Sequence, residues 1–401
     1  MNIKMTLSSL FLCMLLIMFS GCGEEKQPEK RWYKGNLHTH SYWSDGDDFP
    51  EMIMDWYKTH GYHFVGLSDH NILARKEKWK TIPKNQIYEN AFEAYLTQFD
   101  DKVVFKQDSG RISVRLKTLK EYRPLFEEPG RFLILEAEEI TDGLEGKPVH
   151  INVSNIQELI RPQGGETVLE IMQNNINAAL QQRAETGVPN LVHINHPNFY
   201  YAISLEDMQA LEGEQFFEVY NGHPMVNNYG DSTHIGTEEM WDQINISYLN
   251  RNQPVMYGIA TDDSHSYHTF GSEYSNAGRG WVMVHADQLE AVSLIEAMEK
   301  GQFYASTGVT LAKVDFSKNV LHVTVADEPE IAYEIQFIGV RKNGQQSEII
   351  KRVKTTKANF AVSDEWLFVR AKIISNRVKP NPFQEGDFEM AWTQPVWAKE
   401  Q

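Results

Sequence analysis

Short apolar runs of strand length alternate with amphipathic segments of helix length over most of the chain. The apolar runs are rich in β-branched residues and cover 64–67, 132–135, 149–153, 191–194, 216–220 and 255–260, and Leu37 leads into a further polar cluster. The segments with helical spacing cover 50–60, 166–185, 205–212 and 289–301. Strands that alternate with helices predict a parallel sheet, and about seven such units can close a (β/α)7 TIM-like barrel. An open doubly wound sheet is the alternative interpretation.

Two regions depart from this pattern. Residues 72–130 mix aromatic side chains with many charges, which we interpret as a helical insertion after the second strand. After Ser306 the pattern changes to alternating polar and apolar positions, and Asn343 with Gly344 marks a turn. This change predicts a small antiparallel β domain over 306–401, following a barrel over 32–305.

The first residues form a separate segment. An apolar run over 7–19 follows Lys4 and ends at Phe19-Ser20-Gly21-Cys22. This arrangement is typical of a lipoprotein signal peptide over 1–21, with Cys22 as the lipidated residue and 22–31 as a polar tether. It predicts a cell-envelope lipoprotein, on the periplasmic side or at the cell surface, that reaches a membrane only through its N-terminal lipid. A simple N-terminal anchor helix is the alternative.

Composition narrows the chemistry. The chain has 2 cysteines in 401 residues, Cys13 inside the predicted signal and Cys22 at the predicted lipidation site. Disulfides and thiolate ligands are therefore excluded from the mature chain, so any metal must be bound by nitrogen and oxygen. The formal net charge of -17 argues against nucleic acid as a partner, because phosphate backbones need a basic surface. A small-molecule substrate is the expected partner.

Four short clusters of histidines and carboxylates follow apolar stretches. They are L-H-T-H at 37–40, S-D-H at 68–70, N-H-P at 195–197 and D-S-H at 263–265. Barrel enzymes carry their functional side chains where strands end. His38 and His40 point to the same side of an extended segment, so both imidazoles can reach one ion. Asp45 lies in the polar loop that follows, where its carboxylate can turn back to the same site, and His70 ends the next strand.

A run of glutamates supplies a further candidate. Glu138 and Glu139 face opposite sides of a continuing strand, so only one of them should bridge two metals. His150 follows in the next apolar segment. A core histidine that hydrogen-bonds to backbone is the alternative interpretation of His150.

The last two clusters follow the same alternation. His193 and His196 lie on opposite faces of their strand, and Pro197 terminates it. We favour His196 as a ligand and His193 as a packed or supporting residue. Asp263 and His265 share one direction and form the reverse-order counterpart of the opening H-x-H.

These motifs resemble those of the PHP (polymerase and histidinol phosphatase) superfamily of metal-dependent hydrolases, which L-H-T-H, S-D-H-N, N-H-P and D-S-H match in order. The segments E-E-I-T, E-V-Y-N-G at 218–222 and G-Q-F-Y-A-S-T-G at 301–308 are similar to those of the carbaryl-hydrolase-like branch. The resemblance covers roughly 32–308. It implies a distorted seven-stranded barrel with two or three divalent ions at the carboxyl ends of its strands.

The resemblance also implies a distribution of ligands. The first ion would take His38, His40, a glutamate and Asp263; the second the same glutamate with His150 and His196; the third Asp45, His70 and His265. The family motif selects Glu139 as the bridging glutamate, with Glu138 as a substitute. Some relatives have histidine in the place of Asp45.

A mixed set of imidazoles and carboxylates suits zinc, manganese or iron. A water held between two such ions loses a proton near neutral pH and becomes a nucleophile. Asp45 or His265 could protonate the leaving group. Asn221 and Arg279 are candidates to hold substrate, because an arginine fork fits phosphate or carboxylate.

The sequence therefore predicts a lipid-anchored, metal-dependent hydrolase. Phosphoester hydrolysis comes first, because it is the reaction of the superfamily at large, and hydrolysis of a carbamate, amide or carboxylic ester comes second. A non-catalytic metal-binding or glycan-binding lipoprotein is the third hypothesis. Metal scavengers tend to carry flexible histidine-rich tracts, whereas these histidines stand singly where strands end.

Overall fold

The structure is a computed structural model that describes residues 30–398. The described chain contains nineteen strands: β1 (Arg31–Asn36), β2 (Phe64–Leu67), β3 (Trp79–Thr81), β4 (Phe105–Asp108), β5 (Arg111–Arg115), β6 (Leu133–Leu144), β7 (Lys147–Ser154), β8 (Leu191–Ile194), β9 (Phe216–Asn221), β10 (Tyr257–Thr261), β11 (Trp281–Ala286), β12 (Phe303–Ser306), β13 (Leu311–Ser317), β14 (Val320–Val325), β15 (Tyr333–Arg341), β16 (Glu348–Lys354), β17 (Lys357–Ala361), β18 (Trp366–Val378) and β19 (Phe388–Thr393). Its α-helices are α1 (Pro50–Thr59), α2 (Gln86–Phe99), α3 (Leu119–Phe126), α4 (Val168–Thr186), α5 (Leu205–Ala210), α6 (Thr237–Asn250) and α7 (Ala291–Glu299).

The helices begin and end where local chemistry favours it. Pro50 opens α1, where its missing N–H costs no helical hydrogen bond. The Thr167 side chain accepts a hydrogen bond from the Glu170 backbone N–H at the start of α4, and Gly187 ends that helix with φ 67°. Apolar residues on one face of α4 are buried against the sheet. These helices cover the strands and leave the strand ends free for polar side chains.

One large sheet of 13 strands organises the molecule, in the order β10-β9-β8-β7-β6-β2-β1-β11-β12-β19-β18-β15-β16. The pairs β1–β2, β2–β6, β8–β9 and β9–β10 are parallel. The strand β7 is antiparallel to both β6 and β8. The six strands β1, β2, β6, β8, β9 and β10 therefore run in one direction, and their carboxyl ends meet along one edge of the sheet.

The predicted alternation of strands and helices is wrong at β7. Glu145 (φ 51°) and Gly146 (φ 84°) form a two-residue turn between β6 and β7. So short a connection can only join antiparallel strands, because a parallel neighbour needs a crossover of a dozen or more residues. The sheet is consequently mixed, not wholly parallel.

No closed barrel is detected among the described strands, so the (β/α)7 barrel remains unconfirmed. The hydrogen-bonded ladders leave β10 at an edge of the sheet. A single isolated bridge, between Thr39 and Ser264, joins the segments that follow β1 and β10. There the His40 N–H donates to the Ser264 carbonyl at 2.9 Å, and the Asp263 N–H donates to the His38 carbonyl at 3.1 Å. This bridge brings the first and last histidine clusters of the sequence together.

The insertion after β2 is not purely helical. It contains α2 and α3, but also a three-stranded antiparallel sheet in the order β3-β5-β4. Ser109 and Gly110, both with positive φ, make the tight turn between β4 and β5. The period-two pattern Arg-Ile-Ser-Val-Arg of β5 is short and flanked by charges, which explains why the sequence pattern did not distinguish it from a helical excursion.

All regular elements after Ser306 in the described chain are strands, as the alternating pattern predicts. β13, β14 and β17 form a separate sheet, whereas β19, β18, β15 and β16 continue the large sheet through the β12–β19 pair. The division into domains at about residue 306 stays a prediction. The predicted signal peptide and the lipidation site Cys22 lie outside the described residues. Within residues 30–398, no helix is both long enough and apolar enough to cross a bilayer.

Candidate metal centre

The carboxyl edge of the sheet gathers the histidines and carboxylates that the sequence analysis singled out. Short segments after strands position His38 and His40 (β1), His70 (β2), His196 (β8), and Asp263 with His265 (β10), whereas Glu139 and His150 lie on β6 and β7 themselves. Parallel strands place these segments side by side, and the β6–β7 hairpin lies between them. Residues up to 227 positions apart in the chain thus surround one site.

The first possible ligand group contains His38, His40, Glu139 and Asp263. Asp263 Oδ1 lies 3.2 Å from His38 Nε2 and 3.3 Å from His40 Nε2. The Glu139 carboxylate oxygens lie 3.4 Å and 3.3 Å from the same two nitrogens. Two ligand atoms that bind one ion at about 2.1 Å in tetrahedral geometry lie about 3.4 Å apart. The spacing of these atoms therefore fits a shared cation.

A second group is built around the same glutamate. Glu139 Oε1 lies 3.0 Å from His150 Nδ1 and 3.6 Å from His196 Nε2. The two imidazole rings are 5.1 Å apart and nearly perpendicular. Glu139 therefore lies where one carboxylate could serve two ions, as the family motif implies.

The third group lies nearer to solvent. Asp45 Oδ2 is 3.4 Å from His70 Nε2, and Asp45 Oδ1 is 3.4 Å from His265 Nε2 and 3.7 Å from His40 Nδ1. The Asp45 side chain is 57% exposed, whereas the glutamate and aspartate of the other groups are buried. These four side chains can present one ligand atom each to a common centre.

Several buried atoms of these groups make no hydrogen bond within the described chain. They are His38 Nε2, both ring nitrogens of His40, Glu139 Oε2 and His150 Nδ1. A buried polar atom without a partner costs about 1–3 kcal/mol, so a cluster of them is unfavourable unless something binds there. Divalent cations would accept lone pairs from such atoms, and the donor set of nitrogen and oxygen fits zinc, manganese or iron.

The electrostatics agree with this interpretation. Burial by itself raises the pKa of Glu139 and Asp263, but the surrounding histidines outweigh burial and hold both values well below the ordinary range. Burial, together with the charges of His265 and His70, lowers the pKa of His40 to about 3. His40 is therefore neutral and both carboxylates are ionised at neutral pH, the states in which these groups bind metals.

Glu218 on β9 supports the first group, and the sequence analysis did not assign it a role. This fully buried carboxylate lies 2.6 Å from His38 Nδ1 and accepts hydrogen bonds from the Thr261 hydroxyl and the His196 N–H. A carboxylate on Nδ1 fixes the imidazole orientation and directs Nε2 toward an ion. His193, predicted to be packed or supporting, lies 3.6 Å from the same carboxylate. The signal was a single charge inside the apolar run Phe-Phe-Glu-Val-Tyr.

The two adjacent glutamates have different surroundings. Glu139 faces the histidines, whereas Glu138 points to the opposite side of β6, where its Oε2 accepts a hydrogen bond from the Ile160 N–H at 2.9 Å. Burial raises the pKa of Glu138 to about 8. The structure thus places Glu139, and not Glu138, among the possible metal ligands.

The two residues predicted to hold substrate are engaged elsewhere. Asn221 is buried, and its side-chain amide donates to Glu218 Oε2 at 2.7 Å and Asp263 Oδ2 at 3.1 Å. The Arg279 guanidinium donates to the backbone carbonyls of Gly222, Gly271 and Asn381. Neither residue lines the cavity above the metal groups. Asn221 orients two carboxylates, and Arg279 fastens loops together.

Backbone strain accompanies two of the candidate ligands. His196 and Asp263 have φ values of 24° and 49°, in the left-handed region that residues with a Cβ seldom adopt. Such a conformation costs about 1–3 kcal/mol and persists only where the surrounding structure enforces it. Hydrogen bonds from the His196 N–H to Glu218 and from the Asp263 N–H to the His38 carbonyl supply that constraint here.

A cavity of about 460 Å³ opens over the three groups. Candidate ligands from all three form its floor. The remaining lining residues are Phe199, His223, Pro224, Met225, Ser266, Glu273, Tyr274 and Ser275. Its size suits a small molecule.

Comparison with known proteins found distant structural likenesses only. No family model and no curated protein matches the chain. The chain is similar to a two-domain protein from Bacteroides vulgatus containing a predicted PHP-like metal-dependent phosphoesterase (14% identity, 93% of this chain and 100% of that one, TM-score 0.43). It is also similar to a protein from Bifidobacterium adolescentis described as a metal-dependent phosphoesterase (13% identity, 60% and 91% covered, TM-score 0.30). A third likeness is to an amidohydrolase from Chromobacterium violaceum with bound sulfate (11% identity, 67% and 96% covered, TM-score 0.28). Likenesses this distant establish no activity for this chain.

Proposed function

We propose that the protein is a metal-dependent hydrolase of a small molecule, with the histidine and carboxylate groups at the carboxyl edge of the sheet as its active centre. The observation that carries this proposal is the convergence of unpartnered, buried ligand atoms from His38, His40, Glu139 and His150. The buried ion pairs of Arg370 with Asp242 and Glu238 leave no such atom.

The protein's own residues have separable tasks in this proposal. Two or three divalent ions, when bound, would activate water and polarise the scissile bond. Glu218 and Asn221 hold His38 and Asp263 in orientation through the contacts described above. Asp45 and His265, 3.4 Å apart at the exposed side of the site, are placed to pass a proton to a leaving group. The hydrogen bond with Asp45 and the charge of Asp263 outweigh burial and raise the pKa of His265, so its ring could carry that proton in a form with two bound ions, in which His265 is not a ligand.

Phosphoester hydrolysis is the first candidate reaction, because the motif resemblance favours it. A specific observation favours the second candidate, hydrolysis of a carbamate, amide or carboxylic ester. No lysine or arginine lines the cavity of the described chain, so a substrate with several negative charges would meet no side-chain cation there. We further propose that Cys22 is lipidated and anchors the enzyme at the cell envelope.

The test is metal analysis of the full chain purified in detergent, combined with a panel of chromogenic phosphate, carbamate and ester substrates. We expect bound divalent metal and turnover of one substrate class, with both lost in His40→Ala and retained in His60→Ala. His60 is a suitable control because it is exposed at the end of α1 and stacks on Trp56. Metal without turnover of any class would favour the non-catalytic binding protein, and activity unaffected by His40→Ala would contradict the proposed site.

A further inference from the structure

The cavity above the metal groups also has apolar lining residues, which we call the apolar wall. Phe199 stands 5.0 Å from the His196 ring, and Pro224, Met225 and Tyr274 are the other members of this wall. Met225 is 43% exposed, with the hydroxyl of Tyr200 against its sulfur at 3.8 Å. Exposed apolar side chains beside a polar centre are typical of a surface that receives an apolar part of a ligand.

His223 lies between this wall and the ligand groups and belongs to none of them. Its ring centroid is 5.6 Å from that of His265 and 5.6 Å from that of Phe199. No metal-binding group of the described chain includes it. It is therefore a polar side chain at the floor of the cavity whose role the proposed metal centre does not explain.

The backbone fixes which ring nitrogen of His223 carries the hydrogen. The Met225 N–H donates to His223 Nδ1 at 3.1 Å, so Nδ1 is the unprotonated nitrogen. In a neutral imidazole the other nitrogen must then be the donor. Nε2 makes no hydrogen bond with any described residue, which leaves an N–H group available to a ligand.

The loop that carries His223 is held rigidly. The His223 N–H donates to Asn221 Oδ1 at 2.8 Å, and Asn221 is itself bound to Glu218 and Asp263. On the other side, Arg279 donates to the Gly222 carbonyl at 2.8 Å. A Cβ at Gly222 would lie 2.7 Å from the Asp262 carbonyl and 2.8 Å from Arg279 Cβ, so only glycine permits this close packing. The donor is thus fixed in advance relative to the metal ligands, which is the condition for a strong interaction in a reacting complex.

We infer that His223 Nε2–H binds an oxygen of the scissile group, while Phe199, Met225 and Tyr274 receive an apolar or aromatic substituent next to it. This inference rests on the proposed hydrolase function and specifies its substrate class as compounds of low charge with an apolar group adjacent to the bond that is cleaved. The absence of lysine and arginine from the lining residues and the apolar wall point to the same class.

Binding of two phosphonates tests the inference without relying on turnover. The monomethyl esters of phenylphosphonate and methylphosphonate carry one negative charge each, share their oxygen atoms and differ only in the apolar group. We would titrate each into the zinc-loaded full chain by calorimetry, for the wild type, His223→Ala, His223→Gln, Met225→Ala and the exposed control Phe105→Ala. His223→Ala should weaken both ligands by about tenfold, because a hydrogen bond to a charged group is lost. His223→Gln, which keeps an N–H donor, should recover most of that loss.

The wall makes a separate prediction in the same experiment. Wild type should prefer the phenyl compound by about tenfold, from burial of its ring, and Met225→Ala should reduce that preference without weakening the methylphosphonate ester. Equal affinities in wild type and His223→Ala, no preference for phenyl, or no binding to wild type would each overturn the inference. Unaltered hydrolysis in His223→Ala would overturn it too, whereas phosphonate binding through His223 without any hydrolysis by wild type would overturn only the proposed function.

Discussion

Two clusters of charged residues in this protein differ in the kind of cationic side chain that faces their carboxylates. Between α6 and β18, Arg370 donates to both oxygens of Asp242 at 2.7 Å and 2.8 Å, and to Glu238 at 3.0 Å. Lys372 lies 2.6 Å from the other oxygen of Glu238. Two cations thus face two carboxylates, and the pKa of Glu238, despite burial, is lowered to about 2 by Arg370 and Lys372.

At the carboxyl edge of the sheet, the carboxylates have no such counterpart. Every ion-pair partner of Asp45, Glu139 and Asp263 in the described chain is a histidine. Histidine supplies lone pairs as readily as protons, and several of these nitrogens make no hydrogen bond within the described chain. In the first cluster, arginine and lysine side chains balance the carboxylates. In the second, a cation from solution would bind the ligand atoms that make no hydrogen bond.

Removing the Glu139 carboxylate from the cluster at the carboxyl edge of the sheet should have the largest effect, a loss of turnover. Glu139→Gln takes away the charge that the first two groups share, so we expect turnover to fall by about 1000-fold and bound metal to decrease. The measurement is kcat/KM on the best substrate of the panel, together with metal content per chain. A Glu139→Gln variant with full activity would place the bridging role on another residue.

Removing Arg370 from the cluster between α6 and β18 should reduce stability and leave metal binding unchanged. Arg370→Met leaves Asp242 buried without its partner, and we expect the free energy of unfolding to fall by about 3 kcal/mol. Urea unfolding with excess chelator measures this loss, and Arg341→Met is the matched control. Arg341 pairs with Glu348 and Glu365 but is 56% exposed, so its replacement should cost less than about 1 kcal/mol. Metal content per folded chain should remain that of the wild type; a loss of metal in Arg370→Met would show that the two clusters are coupled.

The sequence predicts much of the local structure around these clusters. Helices begin at Pro50 and Leu205 as expected, and the strands at 64–67 and 191–194 coincide with the apolar runs. Local signals suffice there, because capping residues and strand-length apolar runs act within a few positions. The antiparallel direction of β7 was missed, since the apolar pattern of a strand is the same in either direction and only the turn at Glu145 and Gly146 reveals it.

The residues of the candidate site likewise fall into those that local sequence signals identify and those that only the folded structure reveals. Candidate ligands that follow strands in short motifs, such as His40 and Asp263, could be named from the sequence because alternation tells which side chains share a face. Glu218 and His223 could not, because their importance depends on which loops become neighbours after folding. The contacts of Arg279 could not be predicted for the same reason: its motif does not show that three backbone carbonyls converge on it.

Glu138 is a third kind of buried carboxyl, because it has no basic ion-pair partner and belongs to none of the possible metal groups. Its replacement should give the smallest effect. Burial raises its pKa to about 8 from an ordinary 4.5, so between these pH values the folded state keeps a proton that the unfolded chain has released. Folding stability contributed by this group is therefore full below pH 4.5 and is lost as pH rises toward 8. Glutamine does not titrate, so the stability of Glu138→Gln relative to wild type should increase by about 2 kcal/mol between pH 5 and pH 6.5. Urea midpoints of both proteins at the two pH values measure this difference, in which the titration of the shared histidines cancels. An unchanged difference would mean that Glu138 is ionised in the folded protein, and the distinction between it and Glu139 would then lie in position alone.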